Sequence, residues 1–136
     1  MFKALATISL FVLLGTAIAR AQQPQPTPVQ PSPVKRTILQ RTDVPGTNLE
    51  LIYATVEIAP SFKAGRHSHP GVVMGHVVEG EFWLAIDGQP EKVLKAGETL
   101  MLPDRAIHNE GAGDKGTKFN VIYVVEKGQP LAAPAQ

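Results

Sequence analysis

The side chains best suited to chemistry are four histidines, His67, His69, His76 and His108. His67 and His69 flank Ser68, and on an extended backbone residues i and i+2 project to the same face. Two imidazoles placed in this way can converge on one metal ion. By itself, a His-x-His pair is more typical of a polar strand edge than of a pair of ligands.

A third histidine follows in the stretch LPDRAIHNEG. A strand is expected after Gly97, and Pro103 fixes a turn at its end. The chain then returns towards the barrel at His108. In a small barrel this path brings His108 towards the first pair of histidines. Three neutral imidazoles then form a facial set with open positions for water or substrate.

The elements that must position these histidines are short strands separated by turns. Alternating apolar residues predict strands, Asp87-Gly88 is a hairpin signal, and no helical periodicity follows residue 21. The pattern predicts an all-β chain, a small antiparallel β-barrel or jelly roll. The predicted strands are Leu49–Ile58, 72–78 (ended by Glu79-Gly80), 82–86, 93–94, Thr99–Leu102 and 119–125.

Composition narrows the classes of function. Hydrophobic residues make up 43% of the 136 residues, which excludes wholesale disorder. Thirteen basic residues against twelve acidic ones, without a basic cluster, give no indication of nucleic-acid binding. The absence of cysteine excludes disulfides, thiolate metal sites and cysteine nucleophiles.

Residues 1–21 have the layout of a secretory signal peptide. Lys3 precedes an apolar run, and Ala19-Arg20-Ala21 fits a cleavage site between small residues. The alternative is a retained single-span anchor, for which the run is short. Cleavage leaves 11 basic and 12 acidic residues, a net charge of −1. We expect a periplasmic or secreted protein that is free of the membrane.

The remaining chain divides by composition into three parts. Residues 22–34 (QQPQPTPVQPSPV) contain five prolines and predict a semi-rigid Pro-rich linker. Residues 128–136 (GQPLAAPAQ) predict a disordered tail. The β-barrel domain is expected at residues 35–127.

The stretches GRHSHPGVVMGHVVEGE and AGETLMLPDRAIHNEG resemble the two consecutive motifs of the cupin superfamily, in particular its small exported single-domain members of the quercetin-dioxygenase-like branch. The resemblance covers about residues 61–112. It implies a double-stranded β-helix that holds a divalent metal ion by His, His, Glu and His. His67 and His69 match the first two ligands and His108 matches the last.

The chain departs from the family pattern where the glutamate ligand should stand, since that position is Val73. His76 is the nearest substitute, but its parity places it on the opposite face of the strand unless a bulge intervenes. We therefore predict a metal site of His67, His69 and His108 alone. A neutral three-histidine site suits Fe, Zn, Ni or Cu. The alternative is a relic pocket that keeps the fold without the metal.

Three hypotheses of function follow from the resemblance. The first is a metal-dependent enzyme that acts on a small organic molecule, as a dioxygenase-like oxidoreductase or an isomerase. The second is a non-catalytic module that binds a metal or a small ligand at a degenerate site, and the third is a partner-binding protein with a vestigial site. A homodimer is the expectation for a small cupin.

The exported protein should begin near Gln22. Intact-mass measurement of protein recovered outside the cytoplasm checks this expectation, because cleavage after Ala21 removes a defined mass. A mass that includes residues 1–21 would contradict it.

Overall fold

The computed structural model describes residues 32–136, which form eight β-strands and no helix. The predicted signal peptide and residues 22–31 of the predicted linker lie outside this range. Within it, no helix is long and apolar enough to span a membrane. The predicted all-β fold is confirmed. The strands are β1 (Val34–Asp43), β2 (Leu49–Ile58), β3 (His67–Ser68), β4 (Gly71–Ile86), β5 (Lys92–Lys95), β6 (Thr99–Leu102), β7 (His108–Glu126) and β8 (Ala133–Pro134).

Two long antiparallel strands, β4 and β7, form the centre of the sheet. They pair from Gly71 opposite Val125 to Ile86 opposite His108. On the other side of the C-terminal half of β7 lies β2, which in turn pairs with β1. The short strands β6 and β5 pair with successive halves of β4. This arrangement curls the sheet around a single core.

The bend in the central pair is made by a glycine. The register of β4 against β7 shifts on both sides of Gly80, whose φ is 76°. A Cβ atom on this residue would lie 2.1 Å from the carbonyl oxygen of Gly116 across the bend. The sequence predicted that a strand ends here, whereas the strand continues through a bulge, because glycine allows the chain to bend without breaking the pairing.

The core lies between the curled halves of the sheet. Alternate residues of β2 point inward, and Phe82 of β4 packs against Phe119 of β7 with ring centroids 4.9 Å apart. His108 is fully buried at one end of the same core. A titratable side chain therefore lies in surroundings that are otherwise mainly apolar.

The first half of β7 was missed by the sequence prediction, which placed a strand only at 119–125. The preceding residues include Gly111, Gly113 and Gly116 and have low intrinsic strand preference. Pairing with the second half of β4 overrides that preference, and it extends β7 back to His108. The missed half is the part that reaches the histidines.

Candidate metal centre

The three predicted ligands converge at one end of the barrel. His67 in β3 lies directly opposite His108, the first residue of β7. Their ring centroids are 4.2 Å apart, and the His69 ring lies 5.0 Å from the first and 5.1 Å from the second. One ring nitrogen from each residue lies within 4.8 Å of the others. The predicted convergence of His67, His69 and His108 is confirmed.

Backbone carbonyl groups fix the orientation of each ring. The Nδ1 atom of His67 lies 2.9 Å from the Gly65 oxygen, and that of His108 lies 2.9 Å from the Ala106 oxygen. His69 Nδ1 lies 2.5 Å from the oxygen of Leu131. A carbonyl oxygen only accepts hydrogen bonds, so each Nδ1 donates, and in a neutral ring Nε2 then carries the free lone pair. Metal-binding histidines are typically held in this way.

The Nε2 atom of His108 is buried and has no hydrogen-bond partner among residues 32–136. An unpartnered buried acceptor costs about 1–3 kcal/mol, so such atoms are uncommon in folded proteins. A cation placed among the three Nε2 atoms would satisfy this lone pair. The residues present therefore fit a bound divalent metal ion.

A carboxylate that the sequence analysis missed lies beside the histidines. Glu110 Oε1 is 3.8 Å from His67 Nε2, and Glu110 Oε2 is 3.7 Å from His108 Nε2. Burial raises the pKa of Glu110, while His67 and Arg36 act in the opposite direction. The predicted ligand set of three histidines stays a prediction, and a carboxylate lies beside two of its members.

The position of Glu110 beside the histidines could have been predicted from its spacing from His108. The two residues are i and i+2 on β7, so they face the same side of the sheet. The sequence analysis did not find it because it placed no strand at 108–118 and looked for a carboxylate only at Val73.

Val73 and His76 lie on opposite faces of β4, as the alternation of side chains along a strand predicted. Val73 is 2% exposed and belongs to the hydrophobic core. His76 is exposed on the outer face of β4, beside Met74 and Met101. His76 is therefore separated from the three-histidine cluster by the sheet.

The tail, for which the sequence predicted disorder, packs against the site. Ala133–Pro134 forms β8, which pairs with His67 and Ser68 of β3. Leu131 packs against the core, and its carbonyl oxygen receives the His69 hydrogen bond. The prediction failed because a proline-rich composition argues against a strand, whereas β3 offers an unpaired edge that accepts a two-residue partner.

Burial favours the neutral form of two of the imidazoles, His69 and His108. Burial lowers the pKa of His69 to about 4 from 6.5, and repulsion from His108 and His67 acts in the same direction, against the Leu131 hydrogen bond. Burial likewise lowers the pKa of His108. Neutral imidazole is the form that binds metals, so these two rings need not lose a proton near pH 7.

A family model described as "Cupin domain" matches residues 54–128. No curated protein matches the sequence. Among solved structures, the chain is similar to KdgF from Halomonas sp. at a TM-score of 0.59 and 20% identity, over 73% of this chain and 85% of that one. It is also similar to the polyketide cyclase RemF from Streptomyces resistomycificus at 0.60 and 20%, over 77% and 72%.

A third similar structure is the DMSP lyase DddQ from Ruegeria pomeroyi DSS-3. The TM-score is 0.58 at 18% identity over 62% of this chain. The match spans only 43% of the lyase. At these identities the three likenesses establish the fold alone.

Deletion of residues 129–136 should weaken metal binding about 10- to 100-fold, because it removes the carbonyl group that orients His69. Calorimetric titration of the metal-free protein with Zn²⁺ checks this expectation. Deletion of residues 135–136 is the matched control, since it keeps both Leu131 and β8. Equal affinities for the two deletions would contradict the role assigned to Leu131.

The metal-free protein should lose stability as the pH falls from about 6.5 to about 4. In this window the unfolded state binds a proton at His69 and the folded state does not, so the free energy of unfolding falls by about 3 kcal/mol from this residue. The raised pKa of Glu110 has the opposite effect, because it increases the free energy of unfolding as the pH falls. Urea unfolding at several pH values, compared with His69→Gln, isolates the His69 contribution. Parallel pH profiles for the two proteins would refute it.

Proposed function

The chain belongs to the cupin domain family, and we propose that it binds a divalent transition-metal ion through His67, His69 and His108 and acts there on a small organic molecule. The observation that carries this proposal is the set of three imidazoles whose Nδ1 atoms are all held by backbone carbonyl groups. One ring nitrogen of each histidine lies within 4.8 Å of the others, and the buried Nε2 of His108 has no partner in the described part of the chain.

The donor set limits the choice of metal. Imidazole nitrogen suits Fe, Zn, Ni and Cu, whereas Mg²⁺ and Ca²⁺ favour all-oxygen sites. Three protein nitrogens do not fill the coordination shell of any of these ions, so positions remain for water and for a substrate. We propose iron, zinc, nickel or copper as the resident ion.

A small molecule would bind at those open positions. An iron ion would supply oxygen activation when bound, which is the basis for proposing a dioxygenase-like reaction. The protein's own contribution is to hold the three imidazoles by backbone hydrogen bonds, to favour the neutral form of His69 and His108 by burial, and to place the tail strand β8 beside β3. The similar structures described as a lyase and a cyclase support a small organic substrate in this fold.

We also propose that the protein is exported and that it acts in the periplasm or outside the cell, as the signal-peptide pattern of residues 1–21 indicates. Such a compartment removes the chain from the reducing cytoplasm. A chain without cysteine depends on its core, and on a bound metal, for stability there.

Replacement of His67, His69 or His108 by alanine should lower metal occupancy strongly. The loss should exceed the roughly 10- to 100-fold that removal of a hydrogen bond to a ligand costs, because a direct ligand is removed. His76→Ala is the matched control, since it changes a histidine on the outer face. Elemental analysis of untagged protein, followed by Zn²⁺ and Fe²⁺ titration, measures the effect.

Wild-type protein that binds none of the four metals would overturn the proposal. Equal loss in His76→Ala and His108→Ala would overturn the assignment of the site. A protein that binds metal and small molecules but turns none over would instead be a non-catalytic binding module.

A further inference from the structure

Four acceptor groups face one another in the pocket. Nitrogen atoms of the three histidines lie within 4.8 Å of one another, and the Glu110 carboxylate borders two of them, with Oε1 3.8 Å from His67 Nε2 and Oε2 3.7 Å from His108 Nε2. Lone pairs repel one another when no hydrogen lies between them, and burial strengthens this repulsion. A cation placed among these groups would relieve the repulsion between their lone pairs.

The distances fit ligands of a common ion. With metal–ligand bonds of about 2.0–2.2 Å, neighbouring donor atoms are separated by about 3.0 Å in octahedral and about 3.4 Å in tetrahedral geometry. The Glu110 oxygens lie 3.8 Å from His67 Nε2 and 3.7 Å from His108 Nε2. These distances exceed the tetrahedral separation by a few tenths of an ångström and the octahedral one by roughly 0.7–0.8 Å. Entry of one oxygen into the coordination shell therefore requires a movement of the glutamate side chain.

The backbone around Glu110 is fixed on both sides. Its carbonyl oxygen accepts a hydrogen bond from Ala64 N at 2.9 Å, and Ala112 N donates to Phe62 O at 3.1 Å. At Gly111, a Cβ atom would lie 2.3 Å from Phe62 O, so the chain passes here without room for a side chain. The carboxylate is therefore presented to the histidines from a rigid strand.

We propose that Glu110 is the fourth ligand of the metal, in place of the carboxylate that Val73 cannot supply. The inference rests on the proposed function. It changes the site from three neutral nitrogens to three nitrogens and one anionic oxygen. Such a set binds Fe²⁺ and Mn²⁺ better than histidines alone, because a carboxylate oxygen favours these harder ions.

The test compares wild-type protein with Glu110→Gln, using Glu81→Gln on an exposed site of β4 as the matched control. Glutamine keeps the shape and removes the charge. Mn²⁺ affinity should fall by more than about 100-fold in Glu110→Gln, a loss larger than that of an outer hydrogen bond. Zn²⁺ affinity should fall by a smaller factor, and the visible absorption of the Co²⁺-loaded protein should change.

Melting temperatures give a second, independent readout. The metal-free Glu110→Gln protein should melt at a higher temperature than wild type, because the amide group donates to the buried His108 Nε2. The metal-loaded variant should melt at a lower temperature than loaded wild type. If Glu110 instead served only as an ion-pair partner of protonated His67, the metal-free variant would melt at a lower temperature.

Two results separate this inference from the proposed function. Wild-type protein that binds no divalent metal overturns both. Wild-type protein that binds metal, with a Glu110→Gln variant of unchanged Mn²⁺ affinity and unchanged Co²⁺ spectrum, overturns the role of Glu110 alone. A variant that melts lower without metal also counts against that role.

Discussion

The antiparallel pairing of β4 with β7 is the constraint on which the rest of the molecule depends. The two strands remain paired from Gly71–Val125 to Ile86–His108, with register shifts only around Gly80. This pairing carries the core residues of both halves, and it places the start of β7 beside β3. The histidines meet because this one pair of strands is long and bent.

In the pocket at the end of that pair of strands, backbone hydrogen bonds hold side chains in positions where they repel one another. Three carbonyl oxygens, from Gly65, Ala106 and Leu131, hold the three imidazoles with their lone pairs pointing inward. The protein maintains this arrangement although, among the residues that the structure describes, His108 Nε2 has no hydrogen-bond partner. Such a cost is reasonable in a pocket whose side chains could hold a cation.

Much of the fold could be predicted from the sequence, because the relevant signals are local. The alternation in β2 and the proline that ends β6 gave the right strands, and the spacing of the histidines in the two motifs gave the right cluster. Parity also placed His76 on the outer face. These inferences need only the period of a strand and the chemistry of imidazole.

The features that the sequence did not predict depend on partners distant in the chain. The first half of β7 is a strand because β4 lies beside it, against the preference of its glycines. Glu110 was missed for the same reason. Its spacing of two residues from His108 places both side chains on one face only if that segment is a strand. The strand β8 forms because β3 has a free edge, which nothing in the sequence of the tail indicates.

The position of Leu131 in the chain links the carboxyl-terminal segment to the histidine cluster. Its carbonyl group orients His69, yet it follows all strands of the barrel from β1 to β7. A chain that ends before Leu131 can contain every strand from β1 to β7 and still lack the carbonyl group that orients one of the three imidazoles. The geometry of the histidine cluster therefore depends on a residue that lies outside the central strands.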